Sequence, residues 1–169
     1  MTLTDFNGGT VPTTTINQWI AAINALSAPT MFVGRQTAAQ SINSGAWTSV
    51  GIDTEDIDRG DGHSTSVSTS RYTAPSTGWY AFQFSCGFVF NATGQRALEV
   101  AVTGTRRSPG VWTNTTGAIT TMLSLSGTLY LTVGDYLEMY VWQNSGGALN
   151  TASGSSENQG YFSARLVSM

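Results

Sequence analysis

Lysine is absent from this 169-residue sequence, and the positive charge comes from seven arginines set against ten acidic residues. Phosphate binding needs a basic stripe, so the net charge of −3 argues against a nucleic-acid partner. No apolar run reaches membrane-spanning length, and the N-terminus lacks the basic and apolar segments of a secretory signal. We therefore expect a soluble protein without membrane insertion, which leaves a cell by lysis or within a particle.

Cysteine and histidine occur once each, which limits the chemistry available. Cys86 cannot form an intrachain disulfide, and its place on the apolar face of a predicted strand suits a buried side chain better than a nucleophile. His63 would have to serve any Ser-His-Asp triad, but the sequence has no nucleophile-elbow motif and no second ligand for zinc. Asp135 and Glu138 are predicted in a turn and on an interface-like face, which does not suit a glycosidase pair. We expect no enzymatic activity.

The sequence is rich in period-two alternation of apolar with small or polar residues. In the clearest case, every second residue from Tyr80 to Phe90 is large or soft and apolar. This pattern predicts a strand with one apolar face, which a second layer must cover. Strands separated by Gly, Ser, Asn, Asp and Pro are predicted at residues 31–36, 47–52, 70–73, 79–90, 96–103, 118–125, 128–133, 136–143 and 160–167. Many short strands predict an all-β sandwich or jelly roll.

One amphipathic helix is predicted at Thr13–Ser27, with an N-cap among the first three threonines and an end before Pro29. Its apolar stripe consists of Ile16, Trp19, Ile20, Ile23 and Leu26. So short a helix must dock on its own domain, on its symmetry mates or on a larger particle. Residues 1–28 are therefore predicted to form an anchoring arm, and residues 29–169 a head domain. The predicted anchoring residues are Phe6, Ile16, Trp19, Ile20 and Ile23.

The predicted strand Tyr136–Gln143 is apolar on both faces. An antiparallel sandwich normally exposes one face of each sheet to water, so a two-sided strand needs a second cover. A neighbouring subunit is the favoured cover, because aromatic residues suit an interface core. The alternative is a loop or the N-terminal helix of the same chain. The residues predicted for the core and the trimer interface are Tyr80, Phe82, Tyr136, Tyr140, Trp142 and Phe162.

Three blocks of the sequence resemble the globular head of complement component 1q, a fold shared with tumour necrosis factor. The first, TAPSTGWYAFQF, has an Ala-Pro turn followed by Gly78, Tyr80 and Phe82 in a Gly-x-Tyr-x-Phe pattern. The second, LYLTVGDYLEMYVWQN, has a Gly-Asp turn between two strands, and the closing GYFSARLV resembles the terminal strand. The resemblance implies a ten-stranded jelly roll, complement 1q/TNF-like, that forms a homotrimer around an inner sheet.

The N-terminal segment DFNGGTVPTTTINQWIAAINAL resembles the start of many tailed-bacteriophage tail-fibre and minor structural proteins. The resemblance implies a virion protein whose arm attaches a trimeric head to the capsid or tail. Its localisation would be the virion, assembled in the host cytoplasm and released by lysis. Its partners would be itself, other virion proteins and a host cell-surface glycan.

The segment Asp53–His63 is acidic and is predicted to be a loop. Clustered acids suggest calcium, but the spacing does not fit the EF-hand pattern, so a solvated loop is favoured and no cofactor is expected. Outer loops are also predicted at residues 106–116 and 145–158. Asp56, Asp58, Asp61 and Trp112 are the candidates for surface binding. The functional hypothesis is a structural phage protein; the alternatives are a receptor-binding tail-fibre head and, last, a polysaccharide-degrading enzyme.

Overall fold

The computed structural model describes residues 3–4, 7–115, 120–153 and 159–169. Its helix is α1 (Thr13–Ser27), and its strands are β1 (Met31–Gln36), β2 (Ser41–Ile42), β3 (Thr48–Ser49), β4 (Thr54–Arg59), β5 (Arg71–Thr73), β6 (Gly78–Phe88), β7 (Gln95–Val102), β8 (Thr105–Asn114), β9 (Thr121–Leu131), β10 (Tyr136–Gln143), β11 (Leu149–Asn150) and β12 (Gly160–Ser168). Within the described residues, no helix is long and apolar enough to cross a membrane.

Two antiparallel five-stranded sheets pack face to face as a jelly-roll sandwich. Sheet 1 has the strand order β4-β1-β12-β6-β9. Sheet 2 has the order β3-β10-β7-β8, and β5 pairs with β10 beside β3. A short ribbon joins β2 to β11. The all-β jelly-roll fold expected from the sequence is confirmed.

The core lies between the two sheets and is built by the alternation that the sequence shows. On β6, the even-numbered residues from Tyr80 to Phe88 are buried, while Trp79 on the other face is exposed. Tyr72 of sheet 2 stacks on Phe32 of sheet 1, with ring centroids 5.4 Å apart. Aromatic contacts of this kind therefore join the two layers.

Three loop predictions were wrong or incomplete, because strands occupy those segments. The acidic segment contains β4, an edge strand that pairs with β1. The predicted loop at residues 106–116 is largely β8, which pairs with β7 through an irregularity opposite Leu98–Val100. The third predicted loop contains β11. Charged or turn-forming residues hid the first two strands from a search for apolar alternation.

Some predicted strand bounds also differ from the structure. The strand predicted at residues 47–52 is only β3. The strands predicted at residues 118–125 and 128–133 are one strand, β9, and residues 118 and 119 lie outside the described residues. Gly127 sits opposite Phe82, and a side-chain carbon at residue 127 would lie 2.9 Å from the end of the Phe82 ring. The glycine therefore makes room for a core ring rather than a turn. The bounds predicted for α1 agree with the structure, but its N-cap is Pro12 without a side-chain hydrogen bond.

Candidate functional site

The outward-facing side of sheet 2, here called the outer face, carries the aromatic residues of β10. Leu137, Met139 and Val141 enter the core, so the residues between them point the other way. Tyr136, Tyr140 and Trp142 therefore share the outer face, and all three are partly buried. Burial, with the charge of Glu138 nearby, raises the pKa of Tyr140.

Strand pairing aligns three tryptophans across this face. Trp142 is opposite Ala97, Ala97 is opposite Trp112, and Trp47 directly precedes the short strand β3 that pairs with β10. The indole centroids are 5.2 Å apart for Trp112 and Trp142, 5.7 Å for Trp47 and Trp112, and 6.4 Å for Trp47 and Trp142. Ala97 is fully buried beneath them. We call Trp47, Trp112 and Trp142 the tryptophan row.

Charged side chains also contact aromatic rings of the outer face. The Arg106 guanidinium lies 4.3 Å from the centroid of the Trp47 ring and donates a 2.8 Å hydrogen bond to Glu99. Farther along, the Arg71 guanidinium lies 4.2 Å from the Tyr136 ring centroid. Its Nε is 3.4 Å from Glu138, which also accepts a hydrogen bond from Ser70. Each cation is therefore paired with an acid as well as a ring.

These contacts show which side chains lie over the outward side of the two-sided strand β10. Trp142 is covered by Trp47 and Trp112, and Tyr136 is covered by Arg71, all from the same chain. Side chains of the same chain therefore supply part of the cover, as the alternative predicted, although they come from Trp47, Trp112 and Arg71 and not from the N-terminal helix. Cover of this face by a neighbouring subunit stays a prediction. This arrangement could not be predicted from local patterns, because Trp47 and Trp112 are far from β10 along the chain.

The remaining residues predicted for core or interface lie inside the head. Tyr80, Phe82 and Phe162 are buried between the sheets. The Tyr80 hydroxyl donates a 2.8 Å hydrogen bond to the Ser76 carbonyl, which satisfies its polar end. Phe162 contacts Phe84 edge-on, with centroids 4.4 Å apart.

The outward-facing side of sheet 1 is here called the open face. Its central strands place small or uncharged residues outward, including Ala81, Gln83, Ser124, Ser126, Thr128 and Ser163. At one end, Trp79 and Tyr130 are directly opposite each other, and 48% and 55% of their surfaces are exposed. Arg165 is opposite Ala81. Sequence reasoning missed Trp79 and Tyr130, although Trp79 directly precedes the apolar series that begins at Tyr80.

The acidic segment uses its carboxylates within the chain. Asp56 accepts two hydrogen bonds from Arg35, which lower its pKa. Burial raises the pKa of Asp53, but hydrogen bonds that it accepts from the Thr37 and Ala38 amides and two threonine hydroxyls outweigh this, and the net pKa is lowered. Asp58 accepts from the amide of His63.

No group of three or more His, Cys, Asp or Glu positioned for a metal ion occurs in the part of the chain that is described. The His63 ring is fully buried, with Nδ1 2.8 Å from a Glu55 oxygen and Nε2 3.0 Å from the Thr69 carbonyl oxygen. Asp61 is exposed and lies near the tip of the following turn. Cys86 is buried, and burial raises the pKa of its thiol to about 12.

The apolar stripe of α1 faces solvent. Trp19, Ile20 and Ile23 are 54%, 50% and 62% exposed, and Ile16 is partly buried. Phe6 lies outside the described residues. A cavity of about 790 Å³ separates Ala22 of the helix from the C-terminal residues 165–169. The helix therefore keeps most of its apolar surface available for another partner.

No family model and no curated protein sequence matches this chain. Solved structures do share its fold. The globular domain of the zebrafish complement 1qA protein matches with a TM-score of 0.61 and 15% identity, covering 82% of this chain and 97% of that one. Murine APRIL matches with a TM-score of 0.60 and 13% identity, covering 82% and 99%. The PRD1 vertex protein P5 matches with a TM-score of 0.60 and 18% identity, covering 83% and 98%.

Proposed function

We propose that this protein is a non-enzymatic structural component of a phage particle, in which three copies of the head associate through the open face of sheet 1. The observation that carries the proposal is the open face itself. It combines small uncharged side chains with an exposed aromatic pair, Trp79 and Tyr130. Removing the apolar area of such a surface from water lowers the free energy, so association through it is favoured. The fold shared with the PRD1 vertex protein supports a place on a virus particle.

In this proposal, the arm attaches the trimer to the capsid or tail through the exposed stripe of α1. The trimer is assembled in the host cytoplasm and released with the virion by lysis. No cofactor is needed, because the protein acts through its surfaces. The outer face of sheet 2 is directed away from the trimer axis and remains accessible from outside.

The oligomeric state tests the head-to-head association. Light scattering of the full-length protein should give three times the 17.9 kDa chain mass. Gln83→Glu, near the middle of the open face, should lower this mass, because burying an unpaired carboxylate is costly. Gln95→Glu makes the same chemical change on the outer face and should leave the mass unchanged. A full-length protein that stays monomeric at all concentrations would contradict the proposal.

Particle assembly tests the arm. Replacing Ile20 and Ile23 together by asparagine should reduce incorporation into particles, while the head remains folded and trimeric. Gln18→Ser, also exposed on α1, is the matched control and should be incorporated normally. Normal incorporation of the double variant would argue against attachment through this stripe.

A receptor-binding head is the second candidate, and the tryptophan row favours it because Trp112 is half exposed on the outer face. A purely structural head predicts particles that lose integrity without it. A receptor-binding head predicts intact particles that fail to adsorb to the host. A polysaccharide-degrading activity ranks last and would show as a fall in capsule viscosity with the purified protein.

A further inference from the structure

The tryptophan row leaves a large aromatic ring exposed on the solvent-facing side of sheet 2. Trp112 packs against two other indoles and still leaves 51% of its surface exposed. None of the three indole N–H groups donates a hydrogen bond to an acceptor among the residues described. A large, half-exposed apolar ring therefore lies beside two further indoles at one place on the sheet.

Hydrogen-bonded polar pairs lie on both sides of the row. On one side, Gln95 donates a 2.9 Å hydrogen bond to Asn114, two residues along β8 from Trp112. On the other side, Glu99 and Arg106 form an ion pair of 2.8 Å. The local charge is balanced, so the site has no net attraction for an anion or a cation. Strands hold all of these residues except Trp47, which directly precedes β3, and sites built on strands keep their geometry.

We propose that the tryptophan row binds a neutral saccharide, with one pyranose ring lying against the exposed face of Trp112. The C–H groups of a sugar ring are apolar and cover an aromatic face, while its hydroxyls form hydrogen bonds around the edge. The indole N–H groups and the amide pair of Gln95 and Asn114 supply donors for those hydroxyls, and Glu99 supplies an acceptor. A tryptophan offers this mixed contact at low entropic cost, since its side chain is rigid. The inference deepens the proposed function by giving the outward contact a ligand class, and it rests on that function only for its biological setting.

Other occupants fit the row less well. A nucleic acid or another polyanion would meet Arg106 already paired with Glu99. A quaternary ammonium group needs a vacant aromatic cage, whereas these indoles contact one another and Trp47 already carries a guanidinium. A second copy of the chain is better accommodated by the open face of sheet 1, which contains the exposed pair Trp79 and Tyr130.

Calorimetry and tryptophan fluorescence with the full-length protein test the proposal. The probes are maltohexaose, cellohexaose and chitohexaose, each titrated to millimolar concentration. We expect at least one of them to bind, and Trp112→Ala to weaken that binding at least tenfold. Trp112→Phe, which keeps an aromatic face, should restore part of the affinity. Folding of each variant is checked by its circular dichroism and mass.

Trp79→Ala is the matched control, because Trp79 is exposed to a similar degree on the opposite sheet. Trp79→Ala should leave saccharide affinity unchanged but reduce trimer formation. Trp112→Ala should weaken saccharide binding but leave trimer formation unchanged. The saccharide proposal and the trimer proposal can therefore be contradicted independently. Binding by none of the three probes would overturn the inference, as would binding that Trp112→Ala does not weaken. A lower mass for Trp112→Ala would identify the row as a contact between copies, and competition by tetramethylammonium would identify it as a cation site.

Discussion

The indole of Trp79 on β6 lies edge-on to the phenol ring of Tyr130 on β9, with centroids 5.5 Å apart and an interplanar angle of 69°. The two residues are directly opposite in the β6–β9 pairing and project from the open face of sheet 1. An exposed aromatic pair of this size supplies a large apolar area that association through this face would bury.

Trp79→Ala and Tyr130→Ala should each weaken association of the head. Within one chain, the edge-on contact accounts for only about 0.5–1.5 kcal/mol beyond area burial, so the isolated head should remain folded. The measurement is the dependence of melting temperature on protein concentration, which association produces by mass action. We expect the wild type to show this dependence and the double variant to lose most of it. A concentration-independent melting temperature in the wild type would contradict association through this face.

Phe162→Ala should destabilise the head more than any surface change. The Phe162 ring contacts the rings of Phe32, Phe84 and Tyr72, and it is fully buried. Removing a buried phenylalanine ring costs about 3–5 kcal/mol, since the surrounding core relaxes only partly. The free energy of unfolding, measured in urea at one protein concentration, should fall by that amount. Val67→Ala removes an exposed side chain and should change it by less than about 0.5 kcal/mol.

Asp135 should make the stability of the head depend on pH in acid. Hydrogen bonds that its carboxylate accepts from the Thr132 amide and the Thr103 hydroxyl lower its pKa. A carboxyl whose pKa is lower in the folded state stabilises the fold above its ordinary pKa of about 3.9. This contribution is lost as the pH falls through the folded value. Urea midpoints measured from pH 6 downward should therefore fall less in Asp135→Asn than in the wild type, with Thr103→Ala between them. Equal slopes for all three proteins would contradict this role.

Calcium should not change the melting temperature of the head. The carboxylates of Asp53, Asp56 and Asp58 accept hydrogen bonds from backbone amides or from Arg35, so a cation would have to displace existing partners. We expect superimposable melting curves with millimolar calcium and with chelator. Magnesium serves as a control for general ionic effects. A rise in melting temperature with calcium alone would restore the metal hypothesis for this segment.

The strength of local alternation decided which strands could be predicted. The long apolar series on β6 and the two-sided pattern on β10 were sufficient to locate both strands. The edge strand β4 has acids at Glu55, Asp56 and Asp58, so it offers no apolar face to detect. The β8 sequence contains the turn-forming run Ser-Pro-Gly and pairs irregularly with β7.

The surfaces were harder to predict than the strands, because they depend on pairing between distant segments. The tryptophan row combines residues from three places in the sequence, and Ala97 beneath it shows no signal of its own. The open face is visible only after β6, β9 and β12 are known to be neighbours. Period-two patterns give the side to which a residue points, but they do not give the strand beside it.

The acidic residues of β4 affect which contacts between copies of the chain can form. β4 is a free border of sheet 1, where unpaired backbone groups invite a foreign strand to add on. If two β4 edge strands paired, Glu55 and its acidic neighbours would face like charges, so edge-to-edge fibres are disfavoured. Contact between copies is then better made through the flat surface of sheet 1 than through this edge.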